Sequence, residues 1–249
     1  MLGRVLRELL AVRRDRRRRT EGTDSSADEG NPLADYFYNN PGRSTCKWHH
    51  YFDIYHRHFA RFRAQKPVLV EIGVAQGGSL EMWHHYFGTG ARVVGIDIDP
   101  ECRNFEGANT TIMIGDQGDR SFLAQVRARV PHVDILIDDG GHTMSQQIAT
   151  FEELYPHIQP NGVYLCEDMH TSLWPSFGGG YRSDKSFLEY SKALVDRLYS
   201  WHSPDPATLA VDQFTRMTHG MYFYDSVLVV EKRPVNPPRQ FVTRGRNAT

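Results

Sequence analysis

Five short apolar runs, at residues 68–72, 93–97, 111–114, 134–137 and 162–166, limit this chain more than any other feature. Helix-patterned segments lie between the first and second, the third and fourth, and the fourth and fifth, at 79–86, 121–130 and 144–157. Strands that are apolar on both faces and alternate with helices imply a parallel sheet covered on both sides. Ahead of the first run, Trp48, Tyr51, Phe52, Tyr55, Phe59 and Phe62 recur at helical spacing, so 48–62 reads as a helix packed on the core. Near the end, 221–224 and 227–231 are separated only by Asp225 and Ser226, a connection that suits an antiparallel pair at the sheet edge. The expected fold is α/β and Rossmann-like: a mostly parallel seven-stranded sheet with an antiparallel edge hairpin and helices on both faces.

The 249 residues are enough for one such domain, expected over 36–249. Residues 1–35 read as an appendage. Val5, Leu6, Leu9 and Leu10 form a short amphipathic piece, followed by the basic run 13–19 and the polar run 20–30, which has nothing to bury. A basic helix of that kind can touch anionic lipid or nucleic acid, but a solvated tail is the reading adopted. A formal net charge of -1 gives no global attraction to nucleic acid or membrane. No apolar run reaches the length of about 18 residues that a membrane span needs, and the N-terminus lacks the order of a secretion signal. Cys46, Cys102 and Cys166 are far apart and form no CxxC pair, so a cytoplasmic setting is expected. Self-association as a homo-oligomer is left open.

The first run leads into Glu71-Ile72-Gly73-Val74-Ala75-Gln76-Gly77-Gly78-Ser79. Glycines there allow a tight turn, and the helix opening at Ser79 presents N–H groups to a ligand. The spacing departs from the G-x-G-x-x-G of dinucleotide enzymes, and Glu71 would repel a pyrophosphate while tolerating a cationic ligand. Asp97, ending the second strand, is placed to accept the ribose hydroxyls of an adenosine moiety. Asp116 and Gln117, after the third, are placed to meet an adenine edge. Ligands of open parallel sheets bind at these carboxyl ends.

The fourth run ends in Asp138-Asp139-Gly140-Gly141-His142 and the fifth in Glu167-Asp168. Four carboxylates so close repel one another and call for a cation, and hard oxygen ligands suit magnesium, calcium or manganese. His142 is the right kind of base for a hydroxyl acidified by such an ion, unless it only caps the following helix. The 171–182 stretch, rich in glycine and aromatic residues, reads as a mobile lid over an acceptor.

On Lys47-Trp48-His49-His50-Tyr51, Glu71-Ile72-Gly73-Val74, Gly77-Gly78-Ser79-Leu80, Gly95-Ile96-Asp97, Ile137-Asp138-Asp139-Gly140-Gly141-His142, Glu167-Asp168 and Phe223-Tyr224-Asp225-Ser226, the chain resembles the metal-dependent sugar O-methyltransferases of antibiotic biosynthesis. The resemblance spans roughly residues 44–232 and extends to cephalosporin hydroxylase-like proteins. It implies class I methyltransferase topology, S-adenosylmethionine as methyl donor, Mg2+ held by Asp139, Glu167 and Asp168, and His142 as general base. Asp138 then falls to the cofactor side. It also implies a small glycosylated acceptor. Cys46 stands where the family often has Asp. A catechol or phenol methyltransferase of the same fold, or a non-catalytic nucleotide-binding homologue, are the competing readings.

Overall fold

A computed structural model of the chain describes residues 30–243. The five apolar runs are strands β1 (Val68–Ile72), β2 (Arg92–Asp97), β3 (Thr110–Ile114), β4 (Ile135–Asp138) and β5 (Val163–Cys166). All five run parallel. The closing hairpin consists of β6 (Thr218–Tyr224) and β7 (Val227–Lys232), with β7 antiparallel to both β5 and β6. The sheet order is β3-β2-β1-β4-β5-β7-β6. The strand order therefore reverses between β1 and β4, where open α/β sheets bind ligands at the strands' carboxyl ends.

Alternate strand residues feed two separate cores, as the period of two requires. Leu69, Val93, Ile135, Ile137, Val163, Leu165 and Val229 pack under α1 (Pro32–Tyr38), α2 (Tyr51–Phe59) and α3 (Gly78–Phe87). Val70, Ile72, Val94, Ile96, Leu136, Tyr164 and Val230 pack on the opposite face under α4 (Arg120–Arg129), α5 (Met144–Leu154), α6 (Phe187–Leu198) and α7 (Gln213–Met217). Burial on both faces is why the strands read as unbroken apolar runs.

Helix α1 moves the start of the folded body. Asn31 caps it by accepting from the Leu33 N–H at 3.1 Å, and Pro32 sits where a helix tolerates proline. Leu33 is 0% exposed, in the same core as Phe52 and Trp83. Asn31, Leu33 and Ala34 are thus buried in the domain, ahead of the expected boundary at 36: a seven-residue helix that buries only Leu33 and Ala34 carries too little periodicity to stand out beside a polar stretch. The amphipathic and arginine-rich segment lies outside the described residues. Replacing Leu33 with alanine is expected to cost about 2–5 kcal/mol, read as a shifted urea midpoint with unchanged slope.

Helices α6 and α7 have no counterpart among the expected segments. Ser186 caps α6 through the Glu189 N–H, and Phe187 and Leu194 bury one side. Among the described residues no helix is long and apolar enough to cross a membrane.

Candidate active site

The loops after β1, β4 and β5 meet at the strand-order reversal. A Cβ on Gly73 would lie 2.0 Å from the Asp139 carbonyl oxygen, so only glycine lets the two loops touch. Gly73 also has φ +94°, strained for any side chain. Gly73→Ala should push the β4 loop away and lower the melting temperature, which calorimetry would show. A variant that melts as wild type does would mean that the loops need not touch.

The loop from Gly73 to Gly77 is held by Asp97. Its Oδ2 accepts from the Val74 and Ala75 N–H groups at 2.9 and 3.0 Å, while Oδ1 accepts from Asp99 N–H at 2.9 Å. Gly77, with φ +75°, starts α3 against the Phe105 ring. Glu71 is buried, and both its oxygens are engaged: Ser79 Oγ donates at 2.8 Å and Trp83 Nε1 at 3.0 Å. Burial pushes its carboxyl up to about 7, against the pull of Lys47 and these two donors. The Glu71 carboxylate and the Ser79 hydroxyl therefore tie the end of β1 to α3.

Asp116 is exposed, its Oδ1 accepting from Gly118 N–H at 2.7 Å. Gln117 and Asp138 stand at the strand ends, as expected, but their side chains turn into the protein. Gln117 is buried, donating through Nε2 to Asp138 Oδ1 at 2.5 Å and to Thr150 Oγ1 at 3.0 Å, and accepting from Gly141 N–H at 3.0 Å. Tyr164 donates to the other Asp138 oxygen at 3.3 Å. Burial pushes the Asp138 carboxyl up to about 6, with His142 and the Gln117 bond pulling the other way. These two residues splint the β4 loop from beneath. Their strand-end position was legible, but which way each side chain turned was not.

Asp139, His142 and Asp168 converge. One ligand atom from each lies within 4.8 Å of the others. His142 Nε2 stands 3.7 Å from Asp139 Oδ1 and 3.6 Å from Asp168 Oδ2. Its Nδ1 is buried without a hydrogen-bond partner. Helix α5 is capped by Thr143, which forms a capping box with Gln146, so His142 is not the cap. Thr171 Oγ1 donates to the His142 carbonyl at 3.1 Å, tying the β4 loop to the segment after β5.

Residues 47–55 supply the outer partners of this group. Trp48 Nε1 and Tyr51 Oη donate to Asp168 Oδ1 at 3.1 and 2.8 Å, which leaves Oδ2 facing His142. Tyr55 Oη donates to Glu167 Oε1 at 2.7 Å. Lys47 Nζ reaches Asp139 Oδ2 at 2.7 Å and the two Glu167 oxygens at 2.9 and 3.0 Å. Burial disfavours the Lys47 charge, but Asp139 and Glu167 outweigh it and hold the ammonium well above its usual range. Burial, with Asp139 adding repulsion, pushes Glu167 up to about 8 despite Lys47. Glu167 stands next to the three-residue group without belonging to it, because Lys47 and Tyr55 draw its carboxylate aside. Lys47 is given no role by the sequence beyond its place in the Lys47-Trp48-His49-His50-Tyr51 motif, yet it is the cation of this cluster.

Three side-chain-bearing residues here adopt left-handed backbone: Ala75, His142 and Asp168, with φ of 49°, 56° and 53°. They follow β1, β4 and β5, respectively. Such strain gathers at sites where geometry is held by its surroundings.

A buried carboxylate group at the reversal point, beside a glycine loop braced by a strand-end aspartate, defines a ligand-binding α/β enzyme fold. Residues 70–169 match the methyltransferase domain family. It is 36% identical over 213 residues to the 8-demethyl-8-alpha-L-rhamnosyl tetracenomycin-C 2'-O-methyltransferase of Streptomyces olivaceus, covering 82% of this chain and 56% of the relative. To the demethylmacrocin O-methyltransferase of Streptomyces fradiae it is 35% identical, over 76% of this chain and 50% of the relative. The solved structure of MycE, a methyltransferase of the mycinamycin pathway in complex with Mg and SAH, superposes with a TM-score of 0.75 at 30% identity, over 82% of this chain and 55% of that one. The chain thus spans about half the length of the curated relatives that it matches.

Proposed function

We propose that the chain is an S-adenosylmethionine- and Mg2+-dependent O-methyltransferase acting on a sugar hydroxyl of a glycosylated small molecule. The convergence of Asp139, His142 and Asp168 carries this reading. The relatives' names, and the Mg and SAH in MycE, supply the acceptor class and cofactors. The residues fit a hard divalent ion: two carboxylates each turn one oxygen inward while protein donors hold the other.

The ion supplies positive charge that acidifies the acceptor hydroxyl, and S-adenosylmethionine supplies the methyl group. Asp139 and Asp168 would hold the ion, with Glu167 beside them. His142 takes the hydroxyl proton on Nε2, the nitrogen that faces both aspartates. The loop from Gly73 to Gly77 and Asp97 bind the adenosine end, with Asp116 at its rim. Orientation of donor and acceptor by this frame is worth up to roughly 7–11 kcal/mol of barrier. Its three unpaired cysteines suit a cytoplasmic enzyme.

The test is methyl transfer from labelled S-adenosylmethionine to glycosylated and to catecholic acceptors, with Mg2+ and with chelator. Transfer to sugars only, lost on chelation, is the expected result. Transfer confined to catechols would move the acceptor class, and full activity in excess chelator would remove the ion. Calorimetry should give a micromolar Kd for S-adenosylhomocysteine, about -8 kcal/mol. Tighter binding of NAD would overturn the cofactor assignment.

A further inference from the structure

We infer that Lys47 is a built-in counter-ion that shares Asp139 with the divalent ion and keeps the carboxylates folded and aimed whether or not the ion is bound. The inference rests on the metal reading above and goes beyond it, to how the protein tolerates the site. Lys47 has a side chain only 2% exposed, so its ammonium is committed to this cluster. It binds Asp139 through Oδ2, whereas Oδ1 is the oxygen turned toward His142. The two sides of one carboxylate are thereby divided, Lys47 on one and the ion's position on the other. The neighbouring donors, Trp48, Tyr51 and Tyr55, orient Asp168 and Glu167 but bring no charge. Buried carboxylates left without a counter-charge are strongly destabilising. Lys47 offsets part of that cost in every state of the protein, and the ion offsets more when it binds.

Two cations that neutralise the same carboxylates must partly replace each other, so their contributions to stability cannot be independent. A lysine that only filled space would lower stability equally with and without Mg2+. Thermal melts of the full chain separate the two cases. In chelator, Lys47→Met is expected to melt roughly 6–20 °C below wild type. In saturating Mg2+ about half or more of that gap should close, because binding to the native state restores the missing charge. Lys47→Gln keeps a donor near the same place without the charge and should show the same closure. If Lys47→Met is unfolded in chelator, its folding on addition of Mg2+, followed by circular dichroism, is the equivalent result, and Lys47→Gln supplies the melts. A gap of the same size in chelator and in Mg2+ overturns the inference. Mg2+ that leaves even wild type unshifted speaks instead against the metal reading, so the two failures are distinct.

Discussion

Replacing His142 with glutamine is expected to lower methyl transfer by roughly 10²- to 10⁴-fold while the protein stays folded and still binds S-adenosylhomocysteine. The geometry makes this sharper than a generic loss of a base. Helix α5 has its own cap in Thr143, so no capping bond is lost with His142. Nε2 faces the inner oxygens of Asp139 and Asp168, the atoms proposed to hold the ion. If the imidazole were a ligand, the glutamine variant would lose Mg2+ affinity together with turnover. As the base it keeps that affinity within a few-fold. Turnover equal to wild type would sink the catalytic assignment, and Mg2+ titration of the same protein decides between base and ligand.

Asp168→Ala is expected to abolish measurable turnover and to weaken Mg2+ binding by more than about 100-fold, the upper range seen when even an outer partner of a ligand is removed. Its loss also strips Trp48 Nε1 and Tyr51 Oη of a shared acceptor. Stability should therefore fall as well, by about 1–3 kcal/mol, because the part-buried Trp48 loses this acceptor and the buried Tyr51 Oη keeps only the longer bond to the Ser226 carbonyl at 3.4 Å. Asp168→Asn separates the effects, because the amide oxygen still accepts from both donors while the negative charge is gone. The Asn variant should fold nearly as wild type does and remain inactive. An active Asn variant would show that Asp168 orients its neighbours and does not hold the ion.

The strands were legible because each is a short, largely apolar run buried on both faces. β1 occupies the residues expected, and the other four central strands differ by about one residue at an end. Asp139, His142 and Asp168 were legible because a strand end places its following residues at one edge of the sheet. Side-chain direction was not. Gln117 and Asp138 sit at the same edge yet turn into the protein, where Thr150 and Tyr164 satisfy them. Lys47 was harder still. It precedes α2, and its partners lie 92 and 120 residues away, so only the folded chain brings them together. The 171–182 stretch reads as a lid in sequence, but in the fold much of it is 3-10 helix. Thr171 and Phe177 there are buried, and Thr171 fastens it to the β4 loop.

The left-handed backbone at Ala75, His142 and Asp168 has a consequence for how such a chain can change. Glycine adopts that conformation without steric penalty, so at each of the three places a glycine relieves backbone strain. At Ala75 the relief removes only a methyl group. At His142 and Asp168 it would delete the proposed base and a proposed ligand. Selection for heat resistance alone would therefore work against catalysis at two of these positions. A thermostable descendant that keeps its activity must gain its stability elsewhere, in the two apolar layers or around α1, and leave these two residues under tension.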